Sequence, residues 1–99
     1  MSYSDTLSPL RRRIILEYLQ TRPDGEASAD VLVSVINGTR DGVTAFYSEV
    51  VEDLRWLQNK GYVKIAGEEI VVCEITRAGE RIAKREERDP GIADRRPGV

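Results

Sequence analysis

The sequence predicts one small domain that is mainly α-helical and carries a small β-hairpin. The chain has 99 residues, which is enough for one domain but not comfortably for two. Apolar residues recur at helical spacing in three successive stretches before residue 60. A run rich in β-branched residues, 70–75, follows two glycine-containing turns. Three helices, a two- to three-stranded hairpin region and a closing helix therefore account for the chain.

The first helix is predicted to begin at Ser8-Pro9 and to end near Thr21, before Pro23. Serine is a favoured N-cap, and proline is favoured at the first helical position. Helical spacing relates the apolar positions Leu10, Ile14, Ile15, Tyr18 and Leu19. We take residues 8–88 as the domain and residues 1–7 as an N-terminal segment.

The run Arg11-Arg12-Arg13 has two open interpretations. The three side chains bind the phosphate backbone of a nucleic acid, or they form a solvated helix face with local acidic partners. Glu17 is such a partner, because it lies four residues after Arg13. Three consecutive residues sweep most of a helix circumference, so they cannot all face one way.

The second helix is short and is predicted to run from Ser28, its cap, to Asn37-Gly38. Asn and Gly both tolerate the left-handed conformation of a helix end. Its predicted inward positions are Val31, Leu32, Val35 and Ile36.

The third helix is predicted over residues 45–60, with Thr44 as its cap and Gly61 after its last residue. One apolar stripe contains Val43, Tyr47, Val50, Val51, Leu54 and Leu57. Residues 62–65 and 70–75 are then predicted to pair as a hairpin. Glu26-Ala27 can add a third, very short strand.

Thr76 is the predicted cap of a last helix that runs to about Arg88 and is too polar to be deeply buried. The segment 89–99 contains two proline-glycine pairs and several charges, which is typical of a disordered tail.

Two stretches carry a resemblance to a known family. Residues 53–63 read Asp-Leu-Arg-Trp-Leu-Gln-Asn-Lys-Gly-Tyr-Val, and residues 75–80 read Ile-Thr-Arg-Ala-Gly-Glu. The first resembles the end of the third helix in bacterial winged-helix regulators, and the second resembles their junction from wing to final helix. Together with the short start and the proline-glycine tail, they also resemble a family of small winged-helix proteins of Mu-like phages and prophages. The resemblance implies a winged helix-turn-helix fold and a regulator-like function.

The function that follows is binding of double-stranded DNA, with helix 45–60 in the major groove. Thr44 and Ser48 are the candidates for bonds to phosphates or base edges. Arg40, Arg55, Lys60 and Lys64 are the candidates for contacts to the backbone.

Acidic residues oppose this interpretation and leave a second one open. Glu49 and Glu52 fall on the face that should meet a polyanion, and the predicted wing tip 67–69 is acidic. The alternative is a protein-interaction or phage assembly or packaging adaptor that uses the same scaffold. Its candidate anchor is Trp56, because exposed tryptophan is common at interfaces. Trp56 packing within its own chain is the competing interpretation.

Composition argues against other classes of function. The chain has no histidine and one cysteine, so the commonest general base, a disulfide and a thiolate metal site are missing. Cys73 lies in an apolar strand and is predicted to be a small core residue. We therefore expect no enzymatic activity, cofactor or metal. No apolar run is long enough to span a membrane and no signal peptide is recognised, so a cytoplasmic location is expected. A homodimer is expected, with contacts through the first and last helices.

Overall fold

The computed structural model of the protein describes residues 3–39, 43–67 and 69–94, with side chains from Leu7 onward. The elements follow in the order α1 (Tyr3–Thr21), β1 (Glu26–Ser28), α2 (Ala29–Asn37), α3 (Tyr47–Asn59), β2 (Val63–Ala66), β3 (Val72–Ile75) and α4 (Arg77–Ala83). Over these described ranges the protein is mainly helical, with four helices and one small antiparallel sheet. The coarse fold predicted from the sequence is confirmed.

The sheet has three strands in the order β1-β3-β2, so β3 is central. Cys73 on β3 lies between Ala27 on β1 and Ile65 on β2. The third strand expected at Glu26-Ala27 is therefore present. Gly61, which follows α3, has a φ of +82°, the left-handed conformation that lets the chain turn from α3 towards β2.

Helix α1 begins at Tyr3, six residues before Pro9, the predicted first helical residue, so the Ser8-Pro9 start is wrong. Pro9 lies in the second turn of the helix instead of at its first position. Ser8 is not the cap because it lies inside the helix, where its hydroxyl accepts a hydrogen bond from the Arg11 guanidinium at 2.9 Å.

The connection between α2 and α3 also differs from the prediction. Gly38 has a φ of −88°, so α2 does not end in a left-handed residue. Thr44 is not the cap of α3, since the N-cap is Phe46. The side chain of Asn37 holds the residue before the cap: its Oδ1 accepts from the Ala45 N–H at 2.7 Å, and its Nδ2 donates to the Ala45 carbonyl at 3.2 Å.

Helix α4 is shorter than predicted. Its cap is confirmed, because the Thr76 hydroxyl accepts from the Gly79 N–H at 3.2 Å. The helix ends at Ala83 instead of near Arg88, and Arg85 then has a φ of +66°. A positive φ in a non-glycine residue is incompatible with a continuing right-handed helix. Ile82 is only 1% exposed, so one side of α4 is deeply buried despite its polar composition.

The hydrophobic core lies between α1, the inner faces of α2, α3 and α4, and the sheet. Its buried members include Leu10, Ile14, Ile15, Leu16, Leu19, Leu32, Ile36, Val50, Leu54, Leu57, Val63, Cys73, Ile75, Ile82 and Ile92. Cys73 is confirmed as a core residue. Val31 and Tyr47, predicted to face inward, are each 42% exposed, because both lie in the first turns of their helices at the edge of the core.

The segment 89–94, which we name the C-terminal strap, packs against the domain. Ile92 is 3% exposed, and the Ala93 N–H donates to the Pro9 carbonyl at 3.0 Å. The expectation of a disordered tail from residue 89 is therefore wrong for residues 89–94. The remaining tail, 95–99, lies outside the described residues.

Candidate nucleic-acid interface

Helix α3 buries one side and exposes the other. Val50, Asp53, Leu54 and Leu57 are its buried residues. The exposed side, which we name the outer face of α3, consists of Ser48, Glu52, Arg55 and Asn59. These four recur at spacings of four, three and four, so they form one stripe along the helix. The stripe carries one acidic and one basic side chain.

In the described segment that leads into α3, buried and exposed residues alternate, and Val43 is 2% exposed. Thr44, Phe46 and Ser48 are exposed, whereas Ala45 is 7% exposed and held by Asn37. Phe46 is 76% exposed, the largest value among the exposed large hydrophobic side chains. The candidates Thr44 and Ser48 are thus accessible at the start of α3.

Glu49 does not oppose a polyanion in the way the sequence predicts. Its Oε1 accepts from the Phe46 N–H at 3.0 Å, which caps α3. Its Oε2 lies 3.7 Å from Arg11, and only 20% of its side chain is exposed. Glu52 is therefore the one described carboxylate on the outer face of α3.

Three of the predicted basic contacts have different surroundings. Arg55 is exposed on the outer face of α3. Lys64 is exposed on β2, where its cross-strand partner is Glu74. Lys60 is half-exposed, and its Nζ lies 3.4 Å from Asp89 Oδ2 in the C-terminal strap. Arg40 lies outside the described residues.

Trp56 is partly buried by its own chain. The Arg12 guanidinium carbon lies 4.1 Å from the centroid of the indole ring, and Lys60 Nζ lies 5.5 Å from it. A side-chain carbon built on Gly91 would fall on the six-membered ring, so the strap packs directly on Trp56. Trp56 is thus partly buried, covered on one side by α1 and on another by the strap.

The arginine run is neither a phosphate site nor a solvated face. Arg11 and Arg13 are 2% and 1% exposed. Arg11 Nε donates to Asp53 Oδ2 at 2.6 Å, and Arg12 Nε donates to Asp53 Oδ1 at 3.3 Å. Burial raises the pKa of Asp53, and the two guanidinium groups oppose that rise.

The third arginine binds backbone carbonyls of two other elements. Arg13 Nε donates to the Ala93 carbonyl at 2.6 Å, and its Nη1 donates to the Ile82 carbonyl at 2.9 Å. The expected Arg13–Glu17 pair is present at 3.6 Å, but it is mostly buried. We name Arg11, Arg12, Arg13 and Asp53 the buried arginine cluster. The sequence signal that could have found it is an aspartate within the apolar stripe of α3.

Tyr62 and Asp89 attach the strap to the turn after α3. The Tyr62 hydroxyl donates to Asp89 Oδ2 at 2.6 Å, and the Gly91 N–H donates to Oδ1 at 2.8 Å. Burial alone would raise the pKa of Asp89, but these hydrogen bonds and Lys60 lower it below its ordinary value. Burial and the Asp89 carboxylate raise the pKa of Tyr62 to about 12.

Other sites are poorly supported within the described part of the chain. It contains no group of three or more metal-ligating side chains. An open groove of about 460 Å³ lies between α1, α2 and α4. The carboxylate at its edge, Glu17, is shared between Arg13 and Arg85, at 3.6 and 3.4 Å.

No protein-family model matches this sequence, and no curated protein is significantly similar to it. Among the described residues, no helix combines the length and the apolar character needed to cross a membrane.

Proposed function

We propose that the protein is a winged helix-turn-helix DNA-binding protein, a regulator-like protein of a phage or prophage that inserts α3 into the major groove. The element order supports the proposal. Helices α2 and α3 and their connection correspond to a helix-turn-helix unit, and the β2–β3 hairpin corresponds to the wing. The observation that carries it is the outer face of α3, which is exposed along the full helix beside that hairpin.

The proposed contacts divide into two groups. Thr44 and Ser48, at the start of α3, bond base edges or phosphates, and Arg55 and Lys64 contact the flanking backbone. Lys60 joins them only when it leaves Asp89. Arg40 remains part of the proposal. No catalytic activity, cofactor or metal is assigned.

A salt titration on mixed-sequence duplex DNA tests the proposal. Each lost phosphate contact reduces the slope of log affinity against log salt by about one unit. Arg55→Ala is expected to weaken binding to all sequences and to flatten the slope. The matched control is Arg77→Ala, an exposed arginine on α4. The proposal fails if the wild-type protein binds no duplex at low salt, or if both variants change the slope equally.

Glu52→Gln provides a gain-of-binding test. It removes the negative charge from the outer face of α3, so non-specific affinity for duplex DNA is expected to rise. Glu49→Gln is not an equivalent test, because Glu49 caps α3 and pairs with the buried Arg11. Unchanged or weaker duplex binding by Glu52→Gln would argue that DNA does not approach this face.

A second candidate function is protein interaction, including a phage assembly or packaging adaptor. The observation that favours it is Ile70, which is 63% exposed beside the exposed Glu69 in the hairpin turn. An apolar and acidic wing tip suits a protein partner better than a phosphate backbone. Trp56 contributes less than the sequence predicts, because the strap and Arg12 cover it. The substitution Ile70→Ser tests this function. An outcome in which duplex binding stays intact but the biological activity of the protein is lost would favour it.

We also propose a homodimer. The buried apolar residues of α1 and α4 pack within the protomer, so contacts through these helices would use their polar outer surfaces. Sedimentation at a protein concentration on the order of tens of micromolar is expected to give twice the chain mass of 11.1 kDa. A monomer under those conditions would exclude the dimer as the working form.

A further inference from the structure

Phe46 is an apolar ring in polar surroundings at the start of α3. It is 76% exposed, and the exposed residues around it in the chain are Thr44, Tyr47 and Ser48. Each of these three carries a hydroxyl group. The ring therefore does not belong to a continuous apolar patch formed by its chain neighbours.

The position of Phe46 is fixed by its backbone. Its N–H donates to Glu49 Oε1 at 3.0 Å, and its carbonyl accepts from the Val50 N–H at 3.1 Å. The preceding residue, Ala45, is held on both backbone groups by Asn37. The backbone at Phe46 is thus held at a defined site, which reduces the entropy lost when the side chain makes a contact.

C-terminal to Phe46, the outer face of α3 carries few charges. The outer face of α3 has one basic and one acidic residue, Arg55 and Glu52, and phosphate contacts carry no sequence information. In the proposed arrangement Arg55 contacts the backbone, which leaves the uncharged groups at the start of α3 to read base edges. In the major groove, the C5-methyl group of thymine is the one apolar feature of the base edges, and phenylalanine is among the side chains that contact it.

We propose that Phe46 is a specificity-determining residue that contacts the C5-methyl group of a thymine in the major groove. The inference rests on the proposed function. The neighbouring hydroxyl groups of Thr44 and Ser48 bond adjacent base edges or phosphates, and the phenyl ring removes the methyl group from water. Tyr47, which is 42% exposed, lies beside the ring and is not assigned a base contact.

The test begins with selection of duplexes from a random-sequence pool by the wild-type protein. Each thymine of a selected duplex is then replaced in turn by deoxyuridine, which removes only the methyl group. At one position the affinity is expected to fall about fourfold, the equivalent of one buried methyl group. Phe46→Ala is expected to bind the thymine and deoxyuridine duplexes equally at that position.

Two variants control the test. Phe46→Leu keeps an apolar side chain and is expected to retain part of the preference for thymine. Tyr47→Phe removes a neighbouring hydroxyl and is expected to retain the full ratio. Thermal unfolding checks that the variants fold. We expect them to fold, because Phe46 is exposed.

Each remaining result overturns the inference. If Phe46→Ala keeps the fourfold ratio, another group reads the methyl. If no deoxyuridine replacement matters, or if the pool yields no enriched sequence although the protein binds duplex DNA, Phe46 reads no thymine while the proposed function stands. If the wild-type protein binds no duplex at low salt, the proposed function fails and the inference fails with it.

Discussion

On its inner side, α3 presents Asp53 to two arginines of α1, whereas on its outer side it presents Ser48 and Arg55 to solvent. On the inner side, Asp53 is 1% exposed and Arg11 is 2% exposed, and the hydrogen bond between them joins α3 to α1. On the outer side, the charged residues Glu52 and Arg55 are exposed. The density of basic residues in a sequence therefore does not locate a nucleic-acid surface, because two arginines of the most basic run are buried and the third is partly buried.

The largest effect expected on the inner side follows Asp53→Ala. The substitution removes the buried carboxylate that accepts from both Arg11 and Arg12, and breaking a buried pair in this way costs about 3–5 kcal/mol. Urea denaturation measures the loss. Glu52→Ala, at the adjacent and exposed position, is the control and is expected to stay within about 0.5 kcal/mol. Equal effects of the two variants would remove the contrast between the two sides of α3.

Ile92→Ala tests whether the C-terminal strap belongs to the core. Ile92 is 3% exposed, so truncation is expected to cost about 2–4 kcal/mol in the free energy of unfolding. Asp94→Ala, at an exposed residue of the same segment, is expected to change it by about 0.5 kcal/mol or less. A strap that detaches in solution would make both substitutions neutral.

The Tyr62–Asp89 contact predicts a loss of stability at both ends of the pH range. The pKa of Asp89 is lowered from 3.8, so its contribution is present above that value and is lost as the pH falls through the folded-state pKa. The pKa of Tyr62 is raised from 10.0 to about 12, so its contribution is present below pH 10 and is lost as the pH rises towards 12. Thermal unfolding as a function of pH measures both.

Two variants separate these contributions. Asp89→Asn is expected to weaken the acid dependence, and Tyr62→Phe is expected to weaken the alkaline dependence. Tyr18→Phe, a tyrosine on α1, is the control for the alkaline arm. If Tyr62→Phe follows the wild-type curve above pH 10, ionisation of Tyr62 is not the cause of the alkaline loss of stability.

The smallest effect is expected at the surface pair of Arg81 and Glu87. The two side chains are 3.0 Å apart, but each is about half exposed. A double-mutant cycle with alanine is expected to give a coupling of about 0.5 kcal/mol or less, which disappears in high salt. A coupling as large as the effect of Asp53→Ala would contradict the argument that burial separates the two kinds of charge.

Local signals predicted most of the fold. The apolar stripes located the three main helices, Thr76 marked the start of α4, and Glu26-Ala27 marked β1. The starts of α1 and α3 were misplaced because each prediction relied on one local capping signal that the structure does not use. Ser8-Pro9 is a favoured helix start, but α1 continues back to Tyr3. Thr44 is a good cap, but Asn37 and Glu49 satisfy the backbone there instead.

Long-range contacts account for what the sequence did not predict. Arg12 depends on Asp53 and on the Gly91 carbonyl, 41 and 79 residues away, and no local pattern encodes such partners. The proline-glycine composition of the C-terminal strap is typical of disorder, and only its contacts with Trp56 and Arg13 order it. For the candidate interface, helical spacing placed Ser48 opposite the apolar stripe of α3 and Arg55 at its margin, and both are exposed. The inward turn of Glu49 did not, because it requires Arg11.

Cys73, the only cysteine of the chain, gives the sheet a chemical reporter. It is 1% exposed on the central strand, and burial raises the pKa of its thiol to about 12. The thiolate that reacts with alkylating reagents is therefore scarce at neutral pH while β1 and β2 cover it. The rate of alkylation in native buffer then measures how often these strands separate, and it does so without an introduced label.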